Sequence, residues 1–336
     1  MEYTATAIAP ANIAFIKYWG VQDAARTLPF NASISMNLDR CLTTTTVSFD
    51  AALANDEVTL SLYGQAAQTA AGTQLTRVTA QLERLRALAG VSWRAQVAST
   101  NNFPSDAGIA SSAAAFAALT YAGAAALGLE LDERQLSRLA RLSGSGSAAR
   151  SVPTGFVEWR VPDGPFVPDQ WDQEAYAISL APPEHWALAD VVAVVDAGAK
   201  KIGSVENHRL ATTSAYFASR LREIPARLAA TRDAIAQRDL ALLGATIEAD
   251  AVSMHAICMT SKPPSFYWKA GTMAIIHAVR DWRDQGLESY FTIDAGPNVH
   301  VICAEADSAE VARRLDALPE VQFTIANSAG QGARLV

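Results

Sequence analysis

Pro104-Ser105-Asp106-Ala107-Gly108-Ile109-Ala110-Ser111-Ser112-Ala113-Ala114 is the stretch from which the rest of the chain is read. Ahead of it, Trp93 to Thr100 has the alternation and β-branching of a strand, and Asn101 to Gly108 has turn composition. Behind it, Ile109 to Ala126 is alanine-rich with bulky residues at helical spacing. The pattern is strand, loop, buried helix. Small residues at the head of a helix let the backbone approach a ligand. The free N–H groups of the first turn then favour an anion, phosphate above all. The hydroxyls of Ser111 and Ser112 add reach to phosphate oxygens or a bound magnesium ion. An N-cap ahead of an ordinary packing helix reads equally well from this stretch alone.

Composition bounds the class. The chain has 336 residues, 50% hydrophobic and 18% charged, which suits a globular protein with a large core in one or two domains. A net charge of −7 argues against a nucleic-acid or anionic-membrane surface, though not against a local basic pocket for a small anion. Cys41, Cys258 and Cys303 have no CxxC spacing, so neither a disulfide framework nor a zinc site is expected. The N-terminus lacks a signal-peptide pattern and no apolar run reaches membrane-spanning length, so a cytoplasmic location is expected.

Elsewhere, strands are expected at Thr4–Ala9, Thr43–Phe49, Val58–Tyr63, Gly155–Trp159, Ala175–Leu180, Ala189–Val195, Tyr290–Ile293, Val299–Ala304 and Gln322–Ala326. Helices are expected at Thr73–Leu88, from an Asp132 cap through Leu142, and at Val205–Leu221, Ile224–Gln237, Asp239–Cys258, Ser265–Gln285 and Ser308–Leu315. Strands and helices mix without regular βαβ alternation, which favours an α+β fold. The best candidate boundary lies near 185, giving 1–184 and 185–336.

Three further segments carry chemistry. Pro10-Ala11-Asn12-Ile13-Ala14-Phe15-Ile16-Lys17-Tyr18-Trp19-Gly20 sets a lysine in an apolar run, where an ammonium either snorkels outward or finds a partner. Ser143-Gly144-Ser145-Gly146-Ser147-Ala148-Ala149-Arg150-Ser151 holds a G-x-G. It has neither the preceding strand nor the later acidic residue of a dinucleotide site. Its Arg150 suits a bidentate grip on carboxylate or phosphate. Asp294-Ala295-Gly296-Pro297-Asn298 ends a strand in a turn, where Asp294 either bonds locally or faces a pocket and orients a hydroxyl proton.

In their order and spacing these four segments, with Met254-His255-Ala256-Ile257-Cys258 and Pro263-Pro264, resemble the mevalonate diphosphate decarboxylases of the GHMP kinase superfamily. The resemblance implies a two-lobed α+β fold, with a ribosomal-protein-S5-like N-terminal lobe and a ferredoxin-like C-terminal lobe. It implies an ATP- and Mg2+-dependent reaction: the tertiary hydroxyl of a mevalonate derivative is phosphorylated, then phosphate and carbon dioxide leave together. Carried over residue by residue, Asp294 would orient or deprotonate the hydroxyl, and Lys17 would sit beside it. Arg150 would hold the substrate carboxylate, with Asn12, Tyr18, Ser147 and Ser204 lining the substrate. Pro104, Ala107, Gly108, Ser111 and Ser112 would cradle the nucleotide, with Ser112 at the magnesium. The family also resembles homodimers.

Two positions depart from that pattern. Val21 stands where the family has a lysine, and Val205 follows Ser204 where some members have an arginine, both at the substrate's diphosphate. Losing two charge-assisted bonds of about 1.5–3 kcal/mol each favours a substrate with one phosphate. The expectation is therefore mevalonate 5-phosphate converted to isopentenyl phosphate. The alternative is the usual diphosphate, with Lys200, Lys201, Arg209 or Arg26 supplying charge. A kinase that does not decarboxylate is a further alternative.

Overall fold

The computed structural model describes residues 3–104, 109–196 and 204–336. Ala107 and Gly108 lie outside the described residues, as do Lys200 and Lys201, and the side chain of Ser204 is not described.

The first sheet has eight strands, and two long ones form its spine. Thr4–Ile16 runs antiparallel to Ser33–Asp50, in register from Thr4↔Ser48 to Ile16↔Ile34. Both outrun their expected lengths, because the apolar positions after Ala9 and before Thr43 continue to be buried. Arg94–Asn101 pairs with the far half of Ser33–Asp50, and Glu57–Ser61 adds on parallel to Arg94–Asn101. Phe156–Trp159 pairs with its near half, and Ala177–Ala181 follows. Arg334–Leu335, not expected from sequence, returns to pair with Thr4–Ile16. The second sheet is antiparallel, in the order Ser289–Thr292, Val299–Ala304, Leu188–Val194, Phe323–Ser328.

Helices form where periodic apolar residues meet one of these faces. Gly72–Ala89 and the alanine-rich Ser111–Ala126 share a core with Val47, Phe49 and Val97 of the first sheet. Ala270–Asp284 and Ser308–Asp316 cover one face of the second sheet through Ile275, Val279, Val311 and Leu315. Its other face, with Leu188, Val192, Val194 and Ile302, joins Ile13, Phe15, Ile34 and Met36 of the first sheet in one shared core.

Several boundaries differ from expectation. The expected helix Val205–Leu221 is broken into Ser204–Leu210 and a short 3-10 turn at Ala211–Thr213. The next helix, Phe217–Gln237, runs through Pro225, because Ile224 and Leu228 anchor it to the core on either side of the lost hydrogen bond. Pro168–Glu174 is a further short helix with no counterpart among the expected elements, held by buried Trp171. Leu240–Thr260 is long and apolar enough to cross a membrane, contrary to the sequence reading. It is built into the protein instead: Asp239 caps it, and Leu243, Ile247 and Met254 are buried in the core.

Candidate active site

Between the two sheets lies a cavity of about 130 Å³ whose lining includes Lys17, Tyr18, Ser112, Ser147, Arg150 and Asp294. The expected site residues thus converge from segments far apart in sequence. Register shifts between Pro10 and Asn12 and between Ala14 and Ile16 re-aim the end of the first strand. Lys17 lines the cavity, whereas Asn12, expected to line the substrate, is outside its lining and supports Arg150 instead.

Lys17 does not snorkel. It is 2% exposed, and its Nζ donates to Asp294 Oδ1 at 2.6 Å and to the Ala14 carbonyl at 2.6 Å. Burial would lift the Asp294 carboxyl, but Lys17, His300 and Arg150 outweigh it and hold it below the usual carboxylate range. Burial draws Lys17 below its own usual value, against the pull of Asp294. The contact at 2.6 Å pulls each group toward its charged form.

Arg150 lies in a 3-10 turn, Gly146–Ser151, where a plain loop was expected. Its Nε donates to Asn12 Oδ1 at 3.2 Å and its Nη1 to Ser33 Oγ at 2.6 Å. Asn12 in turn donates to Ser151 Oγ at 2.9 Å. The fork is held from behind, and Arg150 lines the cavity. Burial brings the guanidinium down to about 10, so it stays charged at neutral pH.

The G-x-G has a packing cause. A Cβ on Gly146 would stand 2.8 Å from both the Trp159 and the Tyr18 rings. Gly146→Ala is therefore expected to push Tyr18 out of line, destabilising the fold by about 1–3 kcal/mol and raising KM for the substrate. Thermal melting and steady-state kinetics check this, and an unchanged KM would sink the account.

Ser111 and Ser112 open the helix Ser111–Ala126, two residues later than the expected start at Ile109 and just after Ala110, which is left-handed (φ 48°). Among the described residues no side chain caps this helix, and a helix start is where backbone N–H groups and the helix dipole favour an anion. Both serines also line a second cavity of about 310 Å³, walled by Leu60, Val78, Val97 and Leu119. There the Arg77 guanidinium lies 4.5 Å from the Phe116 ring centroid. The two cavities thus meet at these serines, a shape that fits a nucleotide with its base in the larger one and its phosphates at the helix start. No cluster of His, Cys, Asp and Glu suited to a metal occurs among the described residues. The Ser112 hydroxyl, 3.1 Å from Ser145 Oγ, together with phosphate oxygens, fits magnesium. Pro104 is buried at the edge of the described chain.

Sequence reading missed three features. Asp250 accepts from the Lys17 backbone N–H at 2.8 Å and is gripped by Arg220 at 2.9 and 3.1 Å. Arg77 was not singled out. His208 lines the smaller cavity and stacks on Tyr18. A carboxylate in a mostly apolar helix, where the only other is Glu248, was a signal for Asp250; nothing local marked the other two. Of the cations proposed to replace the missing pair, Arg26 is already paired with Asp169 at 2.8 Å. Val21 is partly buried, and Val205 is exposed.

Residues 9–165 match the family described as diphosphomevalonate decarboxylase-like N-terminal domain, and residues 190–331 the mevalonate 5-diphosphate decarboxylase C-terminal domain. The chain is 37% identical over 322 residues to diphosphomevalonate decarboxylase of Candida albicans, covering 92% of this chain and 86% of that protein. It is 35% identical over 327 residues to the human protein of that name, covering 91% and 78%. Among solved structures, mevalonate diphosphate decarboxylase from Staphylococcus aureus superposes with a TM-score of 0.89 at 33% identity, over 100% of this chain and 98% of that one. A complex described as MDDEF with MVAPP, AMPPCP and magnesium superposes with a TM-score of 0.88 at 34% identity, over 100% and 99%.

Proposed function

The chain belongs to the diphosphomevalonate decarboxylase family, and on that premise we propose that it decarboxylates mevalonate diphosphate to isopentenyl diphosphate at the expense of ATP. It is an ATP-dependent carboxy-lyase of the GHMP kinase superfamily, with the two-lobed α+β fold of its relatives. The observation that carries the substrate-level reading is the Lys17–Asp294 pair at 2.6 Å, in one cavity with Arg150 and the start of the helix Ser111–Ala126.

In this reading Arg150 holds the substrate carboxylate. That fixes the carbon–carbon bond to be broken relative to the tertiary carbon–oxygen bond. Asp294 accepts the hydrogen of the tertiary hydroxyl and aims its oxygen at the terminal phosphoryl group of ATP. Lys17 balances the charge of Asp294 and of the oxygens nearby. The start of the helix Ser111–Ala126 would meet the nucleotide phosphates, and the Ser112 hydroxyl would hold magnesium. Magnesium, when bound, supplies neutralising charge to those phosphates. Once the hydroxyl carries phosphate, the tertiary carbon–oxygen bond breaks, the carboxylate's carbon–carbon bond supplies the electron pair of the new alkene, and carbon dioxide leaves. ADP and phosphate are the other products.

Val21 and Val205 led to mevalonate 5-phosphate as the expected substrate; the names of the relatives favour the diphosphate instead. Release of ADP and carbon dioxide, measured with mevalonate, its 5-phosphate and its 5-diphosphate side by side, decides between them. The diphosphate is expected to give the highest kcat/KM. A higher value for the monophosphate would reinstate the pocket reading, and ADP without carbon dioxide would make this a kinase. The proposal extends to a lobe boundary at 184/185, supported by the change of sheet at Leu188–Val194, with Arg334–Leu335 crossing back. It includes a homodimer and a cytoplasmic location, the latter supported by three buried free thiols.

A further inference from the structure

We propose that His208 binds the phosphorylated end of the substrate through its Nε2–H, in the place left by the two valines. The inference rests on the function proposed above and adds a specificity-determining residue to it.

The substrate has three polar parts, and two walls of the cavity are spoken for. Arg150 faces the carboxylate, and Lys17 with Asp294 faces the reacting hydroxyl. Ser111 and Ser112 take the nucleotide side. The lining that remains includes Tyr18, Trp19, Ser147 and His208, and of these His208 has a ring nitrogen bonded to the backbone beside a valine position. The His208 ring stacks on Tyr18, with centroids 4.0 Å apart and planes 22° from parallel, and lies 4.5 Å from Trp19. Its Nδ1 accepts the Gly20 backbone N–H at 3.1 Å. An accepting Nδ1 carries no proton, so the proton of the neutral ring sits on Nε2. Burial, with Arg150 adding to it, pulls His208 down to about 3, which keeps it neutral at physiological pH. Among the described residues Nε2 has no partner, and the ring borders the cavity.

The place is also right. Gly20 immediately precedes Val21, and Val205 stands three residues before His208 in the helix Ser204–Leu210, close to one turn away. His208 therefore touches the backbone beside one valine position and stands about one helical turn from the other. A neutral imidazole N–H donates to a phosphate oxygen without needing a counter-charge in the empty pocket. The stack on Tyr18 fixes the direction of that donor before substrate arrives.

Two variants separate donor from shape. His208→Phe keeps the aromatic stack and removes the donor; His208→Gln keeps a donor. For mevalonate diphosphate, His208→Phe is expected to raise KM at least tenfold, about 1.4 kcal/mol, with kcat within threefold and KM for ATP unchanged. His208→Gln is expected to recover part of the loss. A KM within twofold of wild type, or a loss confined to kcat, overturns the assignment. A second measurement does not depend on turnover: calorimetric titration of inorganic pyrophosphate into wild type and His208→Phe, each with ADP filling the nucleotide site. Binding that is lost in the variant supports His208, and equal binding, or none to wild type at millimolar concentration, overturns it. Wild type that turns over no mevalonate derivative refutes the proposed function, while the titration still decides His208.

Discussion

Asp294→Asn is expected to lower kcat by about 10³-fold, with ADP and carbon dioxide lost together. The substitution keeps the shape of the side chain and removes its charge. Phosphorylation of the hydroxyl precedes loss of carbon dioxide, so an enzyme that cannot direct that hydroxyl fails at both products. KM is expected to change little, because Arg150 and its support from Asn12 and Ser33 are untouched. A carboxylate held below its usual range by Lys17 is a weak base. Asp294 therefore acts mainly by orienting the hydroxyl, and takes the proton late, as the oxygen–phosphorus bond forms. The pH profile tests this. The ionised form is required and its folded-state pKa is depressed, so its acid limb in kcat/KM lies below about pH 4. By the same sign, the pair stabilises the fold above the unfolded carboxyl's pKa and loses that contribution as pH falls through the folded one. An acid limb near pH 6 that vanished in Asp294→Asn would refute the assignment, as would a variant that still released ADP at the wild-type rate.

How much of this was legible depended on how far apart the interacting residues stand. Local elements read well. Asp132 caps Glu133–Arg141 through its bond to the Gln135 N–H, as an aspartate before an amphipathic run implies. The strand–loop–helix around Ser111 also read well, because periodicity is a local property. Taken alone, Lys17 was as consistent with a snorkelling side chain as with a buried one, and Asp294 with an ordinary turn. Each needs the other for its burial to make sense, and they are 277 residues apart. Only the joint order of four motifs joined them. His208 had no such help: its meaning comes from Gly20 and Tyr18, neither near it in sequence. The helix break at Ala211–Thr213 was invisible for a similar reason. It lets Ser214 bond Thr260 and Thr213 accept the Lys262 N–H, contacts that no window of neighbouring residues contains.

Asp250→Ala is expected to destabilise the protein by about 3–5 kcal/mol, the largest stability effect of any substitution considered. Asp250 is fully buried and accepts from Arg220, from Arg227 at 3.1 Å and from the Lys17 backbone. Arg220 is 2% exposed and also donates to the Lys17 carbonyl at 3.3 Å. Removing the carboxylate strands a buried cation, and that desolvated charge, more than the lost attraction, sets the cost. It follows that the cost falls when the cation goes too. The double variant Asp250→Ala with Arg220→Met is expected to melt higher than Asp250→Ala alone, a coupling that a double-mutant cycle measures. Stability recovered in this way does not recover catalysis. Lys17 still lacks the acceptor that fixes its backbone, so Nζ loses its alignment with Asp294, and kcat stays depressed in both variants. If Asp250→Ala melted as wild type does, or if the double variant regained full kcat, Asp250 would be an ordinary core residue and not the anchor of the catalytic lysine.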